Sequence, residues 1–272
     1  MTEVTMQAST APKQRMQQIW AAGDFSKIAT GIVIIGELLC ESADLRAGQA
    51  VLDVATGSGN TAIAAARRFC EVTGVDFVPA LLARARERAA AEGLDIVFQE
   101  GDCEHLPFAD GIFDAVFSTF GVMFAGDQQK AADELLRVCR PGGKICLTTW
   151  VPEGYMVETH ATIARYAPPP PGMPSPMAWG SEQNLTRFFG AGVASMQVTR
   201  RRATQRYLSA QHWLLHMRSN FGPILLPFSM LGAPEREKLA EELLDLAARH
   251  NQSGDGTLVL PLDYLEIVAL RR

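Results

Sequence analysis

The sequence predicts an α/β fold, a doubly wound and mostly parallel sheet with helices on both faces. Between residues 49 and 150, short β-branched runs that end in Gly or Asp alternate with Ala-, Leu- and Arg-rich stretches of helical spacing. This alternation is typical of parallel strands joined by covering helices. The 272 residues, 47% of them hydrophobic, are enough for one domain of unusual size.

The alternating segments define the elements in chain order. Strands are predicted at residues 50–55, 71–76, 95–99, 113–118 and 144–150. The helices between them are predicted at residues 60–69, 79–92 and 127–138. Pro79 suits the first turn of its helix, where an N–H group is not needed, and Gly93 ends the same helix.

The pattern changes after residue 150. Residues 167–176 read APPPPGMPSP, which excludes helix and central strand and predicts an ordered loop or lid. Beyond it we predict a strand at 196–207 and helices at 209–220 and 234–250. A final antiparallel strand at 264–270 is expected to close the sheet edge.

Composition argues against several partners. A net charge of -5 leaves no uniform basic surface for nucleic acid or anionic membranes. Residues 28–40 are too short for the ~20 residues that a bilayer requires, and Glu37 interrupts them, so an amphipathic helix is predicted. The N-terminus lacks the order of a signal peptide, which predicts a cytoplasmic protein. The five cysteines lack CxxC spacing and predict reduced thiols without a metal.

The sharpest motif is VLDVATGSGN, residues 51–60, where a buried strand meets a glycine-rich turn that opens a helix. Glycines let the backbone approach a ligand, and the helix start attracts a carboxylate or phosphate. Asp53 adds a negative charge there, which attracts the ammonium of an amino-acid cofactor and repels a pyrophosphate. The string from Gly57 to Ala62 also fits the dinucleotide fingerprint GxGxxG/A, with Asp76 placed to bond a ribose.

Three features decide between these interpretations: Asp53 within the strand, GDCEHLPF after the third strand and RPGGK before the fifth. Together they resemble the class I S-adenosylmethionine-dependent methyltransferases, in the branch of the ubiquinone, menaquinone and many small-molecule methyltransferases. The resemblance covers residues 50–150, with Ala55 in place of the first glycine. It implies a Rossmann-like sheet and S-adenosylmethionine as cofactor, with S-adenosylhomocysteine as product.

The resemblance also implies roles for individual residues. Asp76 would bond both ribose hydroxyls and Phe77 would pack on the adenine. Asp102 would accept from the adenine amino group, and the Cys103 backbone N–H would donate to the ring. The implied cofactor-binding residues are Asp53, Ala55, Thr56, Gly57, Gly59, Asn60, Asp76, Phe77, Asp102, Cys103 and Ser118.

Outside these motifs the candidates are weaker. Trp20 and Phe25 are predicted to form part of a lid, with ordinary helix packing an equal alternative. Methyl transfer needs a general base only where the acceptor must lose a proton. The candidate bases are His160, His212 and His216, although local packing is the favoured interpretation of each.

Two further segments have alternative interpretations. The arginines 200, 201, 202 and 206 favour a solvated strand face over an anionic acceptor site. Residues 213–230, rich in aromatic residues and Met, suit either an apolar acceptor pocket or core packing.

The predicted function is methyl transfer from S-adenosylmethionine to a small-molecule acceptor, an aromatic or natural-product-like metabolite. The alternatives are an NAD-dependent oxidoreductase and a non-catalytic binding module. One domain is predicted, with an N-terminal helical lid (1–48), a cofactor-binding core (49–150) and an acceptor-side insertion with C-terminal strands (151–272). Methylation at O, N, C or S, and a monomer or a homodimer, are all compatible with these residues.

Overall fold

The structure is a computed structural model that describes the backbone from Glu3 to Arg272 and the side chains from Pro12 onward. In this range the α-helices are α1 (Glu3–Ala21), α2 (Phe25–Ala29), α3 (Val33–Ser42), α4 (Asn60–Ala66), α5 (Pro79–Ala91), α6 (Gln128–Val138), α7 (Tyr155–Tyr166), α8 (Glu182–Phe189), α9 (Ala210–Asn220), α10 (Gly222–Met230) and α11 (Ala233–His250). The strands are β1 (Ala50–Val54), β2 (Glu71–Asp76), β3 (Ile96–Glu100), β4 (Phe113–Thr119), β5 (Cys139–Trp150), β6 (Val193–Tyr207) and β7 (Leu258–Arg271).

The strands form one sheet in the order β3-β2-β1-β4-β5-β7-β6. Strands β1 to β5 pair in parallel, and β7 pairs antiparallel with β5. The predicted mostly parallel sheet with an antiparallel C-terminal strand is therefore confirmed. The expectation that the last strand closes the sheet edge was wrong, because β6 forms the edge and β7 lies inside it. The compositions of the two strands account for this order, since β7 is rich in apolar residues and is largely buried, whereas β6 is rich in Arg and Thr and is mostly half-buried or exposed.

Helices cover both faces of the sheet. On one face, α3, α4 and α5 bury a cluster that includes Leu39, Ile63 and Leu82 together with Phe117 of β4. The neighbouring strand residue Val116 points to the opposite face, and it is also fully buried. Helix α6 contacts β4 and β5, and α8 packs on α6.

The chain divides into two compact units. The sheet unit comprises Ile32–Pro152, Pro174–Ala203 and Asp263–Arg272. The helical unit comprises the residues up to Gly31, Glu153–Met173 and Thr204–Leu262. Within the helical unit, α9 and α11 contact each other, as do α7 and α11. The prediction of a single domain stays a prediction.

Several elements differ from those predicted. The predicted helix at 28–40 is interrupted by a 3-10 turn, Thr30–Ile32, because glycine and β-branched residues weaken a helix interior. Helices α7, α8 and α10 were not predicted, since much of a helix's stability comes from tertiary packing rather than propensity. The loop predicted at 167–176 contains neither helix nor strand over residues 167–175, but its last residue begins a 3-10 helix, Pro176–Gly180.

Among the described residues, no single helix is long and apolar enough to cross a membrane. Taken together, Pro12–Ala21 and Phe25–Ser42 have the length and apolar composition of a membrane span, but the pair is bent by 71° between its two parts.

Candidate functional site

The glycine-rich turn joins the carboxyl end of β1 to α4. The Thr56 N–H donates to the Val75 carbonyl at 2.9 Å, and the Gly59 N–H donates to the Thr56 carbonyl at 2.9 Å. Gly57 and Gly59 have φ angles of 56° and 85°, in the left-handed region that favours glycine. The turn therefore lies at the junction between β1 and β4, where the strand order reverses and ligands bind in sheets of this kind.

Ala55 stands where the resemblance has a glycine, and its backbone keeps the glycine conformation, with φ at 54°. This conformation costs a residue with a Cβ atom about 1–2 kcal/mol. The neighbouring chain accommodates the extra methyl group at Gly121, where an added Cβ would lie 2.4 Å from that of Ala55. Ala55 and Gly121 are therefore sterically coupled.

Replacing Ala55 with glycine is expected to raise the free energy of unfolding by about 0.5–1 kcal/mol, since relief of strain outweighs the added freedom of the unfolded chain. Gly121→Ala is expected to destabilise the protein, and Ala55→Gly should recover part of that loss in the double variant. Urea unfolding of the four proteins measures the coupling. Strictly additive effects would contradict it.

Asp53 lies in β1 and is almost completely buried. Its Oδ2 accepts from the Thr56 hydroxyl at 2.6 Å and from the Ala62 N–H at 3.0 Å. Burial raises the pKa of Asp53 to about 7, against the lowering effect of these bonds. The carboxylate thus braces the turn against the first residues of α4, a role that the sequence did not reveal.

Asp76 ends β2 beside the same turn, and its side chain is also buried. One carboxylate oxygen accepts from the Gly57 N–H at 2.8 Å and the other from the Val78 N–H at 2.9 Å. Burial raises the pKa of Asp76 to about 6. A carboxylate offers about four acceptor positions, so these backbone bonds orient the group without using all its acceptor capacity.

Ser118, near the end of β4, ties β4 to β1. Its hydroxyl donates to the Val54 carbonyl at 2.8 Å and accepts from the Val122 N–H at 3.1 Å. Phe120 follows with a left-handed φ of 57° and stacks on Trp150 with ring centroids 3.7 Å apart. Two of the four non-glycine residues with left-handed φ in the described chain, Ala55 and Phe120, thus directly follow β1 and β4; the other two are Asp44 and Phe69.

The predicted adenine-side segment follows β3. Asp102 Oδ1 accepts from the Glu104 N–H at 2.9 Å, and Phe77, Asp102 and Cys103 are partly accessible. The buried Glu104, which the sequence did not single out, accepts from the Gly126 and Asp127 N–H groups at 2.8 and 3.0 Å. Glu104 therefore fixes this segment to the start of α6.

Arg88 of α5 is a second residue that the sequence analysis missed. Its Nη1 donates to the Ser58 carbonyl at 2.6 Å and to the Asn60 Oδ1 at 2.7 Å. These contacts hold the outer side of the glycine-rich turn and engage the Asn60 side chain. No signal in the sequence separates Arg88 from the exposed arginines of the same helix.

The aromatic residues predicted as a lid belong to the helical unit. Trp20 packs on Phe25 at 5.5 Å between ring centroids, and both contact Phe221. An added Cβ at Gly222 would lie 1.7 Å from the Ile19 carbonyl oxygen, so the backbone there is closely docked. This geometry supports the packing interpretation, and the lid stays a prediction.

The lid prediction requires that Trp20→Ala weaken S-adenosylmethionine binding by about tenfold, the order of an aromatic contact. Trp20→Phe is the matched control, because it retains a ring on Phe25 and Phe221. Calorimetric titration measures both variants. Unchanged affinity in Trp20→Ala would leave only the packing role.

The three candidate bases also lie in the helical unit. His160 Nδ1–H donates to the Met156 carbonyl at 2.8 Å, and burial lowers its pKa. His212 and His216 share a helix face, as predicted, with ring centroids 6.3 Å apart, and each contacts the ring of Tyr207. Burial lowers the pKa of His216. Among the described residues, no group of three or more His, Cys, Asp or Glu side chains is arranged to hold a metal.

Residues 213–230 supply part of the core of the helical unit. Trp213 and Ile224 are fully buried, whereas Leu215 and Met230 are exposed. Core packing accounts for the buried members, and the acceptor-pocket interpretation stays a prediction.

Known proteins share both the domain and the fold. The family described as a methyltransferase domain matches residues 51–143. The uncharacterized protein Rv1405c of Mycobacterium tuberculosis is 38% identical over 259 residues, 93% of this chain and 93% of that protein. A demethylmenaquinone methyltransferase of Thermus thermophilus is 41% identical over 142 residues, 47% of this chain and 64% of that protein. The crystal structure of the YcgJ protein from Bacillus subtilis has a TM-score of 0.60 at 23% identity, covering 86% of this chain and 97% of that one.

The sheet order and the glycine-rich turn at its switch point define a Rossmann-like cofactor-binding fold. Residues 51–143 form a methyltransferase domain, and the whole chain belongs to one family with Rv1405c.

Proposed function

We propose that this protein transfers the methyl group of S-adenosylmethionine to a small-molecule acceptor, with S-adenosylhomocysteine as the product. The observation that carries the proposal is the Asp76 carboxylate, which the Gly57 and Val78 amides orient beside the glycine-rich turn. A carboxylate at the end of β2 suits the two hydroxyls of an unphosphorylated ribose. Family membership and the matched methyltransferase domain support the same conclusion.

The charge at this site favours S-adenosylmethionine over a dinucleotide. Asp53 and Asp76 are buried carboxyl groups whose pKa values are raised mainly by burial. A cofactor that carries sulfonium and ammonium charges stabilises their ionised forms, whereas a pyrophosphate opposes them. The turn, Asp53, Asp76 and the Asp102–Cys103 segment would hold the cofactor.

When bound, S-adenosylmethionine supplies an electrophilic methyl group on a positively charged sulfur. The remaining task of the protein is to hold the acceptor in line and to exclude water. The rigid ends of β1 and β4, joined by the Ser118 bridge, suit that positioning role.

We assign acceptor binding to the segments outside the cofactor-binding core. The Thermus relative is named for a demethylated quinone, but it matches only 47% of this chain. Within the helical unit, Tyr207 and His216 are half-buried and their rings lie 5.9 Å apart between centroids. Side chains of this type suit an aromatic or natural-product-like acceptor.

Calorimetric titration with S-adenosylmethionine, S-adenosylhomocysteine and NADH tests the proposal. Micromolar binding of the two sulfur compounds without NADH is expected, followed by acceptor screening with labelled methyl groups. Binding of NADH alone would support the oxidoreductase alternative, and binding of none of the three would support a non-catalytic module.

Affinity for S-adenosylmethionine is expected to rise by about tenfold between about pH 5.5 and pH 8, as Asp53 and Asp76 lose their protons. Because a cationic cofactor lowers both pKa values, binding near pH 6.5 should release protons, detectable by calorimetry in buffers of different ionisation enthalpy.

The free energy of unfolding of the cofactor-free protein should change with pH in the opposite direction to the affinity. Raised pKa values mean that the folded chain holds these protons more tightly, so their contribution falls as pH rises from about 4 to about 7. A flat affinity profile would contradict the linkage.

A further inference from the structure

An ion pair lies within the sheet unit at Glu266 of β7. The side chain is only 3% exposed. Its Oε1 accepts from Arg201 Nη2 at 2.8 Å and from the Ser42 hydroxyl at 2.7 Å. Buried ion pairs contribute little to stability on their own, because desolvation offsets the attraction. Stability alone therefore does not account for a charge at this place.

Within the described part of the chain, two polar atoms of this pair and one beside it have no hydrogen-bond partner. They are Glu266 Oε2, Arg201 Nε and Thr148 Oγ1. Thr148 is the antiparallel partner of Glu266 in the register of β5 and β7, so the two side chains share one face of the sheet. Arg201 Nε belongs to the guanidinium that already contacts Glu266. The three side chains are therefore neighbours.

A cluster of unpaired polar atoms is unusual in a folded protein. Buried polar atoms are almost always hydrogen-bonded, and an unpaired one loses its hydration without compensation. A single unpaired atom is compatible with ordinary imperfection in packing. Three unpaired atoms in one cluster, namely an acceptor, a donor and a hydroxyl that can be either, indicate one shared hydrogen-bond partner that is not part of the chain.

We propose that Thr148, Arg201 and Glu266 enclose a binding site for one small neutral molecule that both donates and accepts hydrogen bonds, namely an ordered water. A cation cannot accept from Arg201 Nε, and an anion is repelled by Glu266. Water donates to Glu266 Oε2 and accepts from Arg201 Nε, and its second proton or lone pair serves Thr148.

The register places this water near the carboxyl end of β4, at the edge of the sheet where the cofactor is proposed to bind. Thr148 is the partner of Thr119 in β4, and the Thr119 hydroxyl lies 2.7 Å from that of Thr61 in α4. The water thus extends a row of polar side chains from the ion pair toward the end of β4. This site goes beyond the proposed methyl transfer and does not depend on it.

The direction in which one substitution changes the melting temperature tests the site. Thr148→Val removes the hydroxyl while keeping the branched shape. If the hydroxyl bonds the water, the melting temperature of the intact protein falls by about 2–4 °C. If the hydroxyl has no partner, its removal raises the melting temperature.

Thr149→Val is the matched control, because the buried Thr149 hydroxyl donates to the Trp179 carbonyl at 3.0 Å. This variant calibrates the loss of one buried hydrogen bond in the same strand. A raised or unchanged melting temperature for Thr148→Val, with the expected decrease for Thr149→Val, overturns the proposal.

A crystal structure of the unmodified protein at high resolution provides a second measurement that no folding defect can obscure. We expect density for a water within about 3.2 Å of Thr148 Oγ1, Arg201 Nε and Glu266 Oε2. Clear side-chain density without such a peak overturns the proposal.

Discussion

Replacing Asp76 with alanine is expected to weaken S-adenosylmethionine binding by at least about 100-fold. Hydrogen bonds to a charged group contribute about 1.5–3 kcal/mol each, and two ribose hydroxyls would lose their shared acceptor. The substitution also leaves the Gly57 and Val78 N–H groups without their hydrogen-bond acceptor. Calorimetric titration of the variant measures the loss.

Two controls separate recognition from damage to the fold. Asp95→Asn changes an exposed carboxylate just before β3 and should leave affinity unchanged. Asp76→Asn keeps the size of the side chain and one carbonyl oxygen. Its affinity for S-adenosylmethionine should therefore lie between those of Asp76→Ala and Asp95→Asn. Wild-type affinity in a folded Asp76→Ala protein would show that the ribose assignment is wrong.

Much of the cofactor site could be predicted because its determinants are local in sequence. The turn at residues 55–59 requires glycine-like backbone angles, and the acidic residue Asp76 ends a strand that the β-branched pattern already marks. Parallel strands bring their carboxyl ends to one edge, so the order of elements alone groups these residues. The parallel core of the sheet followed from the same alternation.

The remaining features depend on contacts between segments far apart in the chain. Gly121 leaves room for the Ala55 methyl group. Arg88 hydrogen-bonds to Ser58 and Asn60, which lie 30 and 28 residues earlier in the sequence. Likewise, the order of β6 and β7 depends on which strand has enough apolar surface to be covered. Neither a pairing partner nor a steric neighbour leaves a periodic signal in a single sequence.

The arginines of β6 show the same limit. The sequence favours a solvated strand face, and Arg202 fits that interpretation, since it is 55% exposed and pairs with Asp263 at 2.6 Å. Arg201, its neighbour in sequence, instead contacts the buried Glu266. The identity of the facing residue in β7, which sequence spacing does not reveal, separates these two arginines.

Replacing Arg201 with methionine is expected to lower the free energy of unfolding by about 3–5 kcal/mol, because Glu266 would remain as a buried charge without its counterion. Glu266→Leu should cost less, since Arg201 keeps 39% exposure of its side chain and can turn to water. Combining both substitutions should recover most of the loss, as apolar residues often replace buried ion pairs without cost.

The matched control is Arg202→Met on the same strand. Its exposed pair with Asp263 is expected to contribute no more than about 1 kcal/mol. Urea unfolding of the single and double variants measures all four values. Equal losses for Arg201→Met and Arg202→Met would mean that water reaches Glu266 freely, whereas a large difference with recovery in the double variant identifies the Glu266 environment as the origin of the cost.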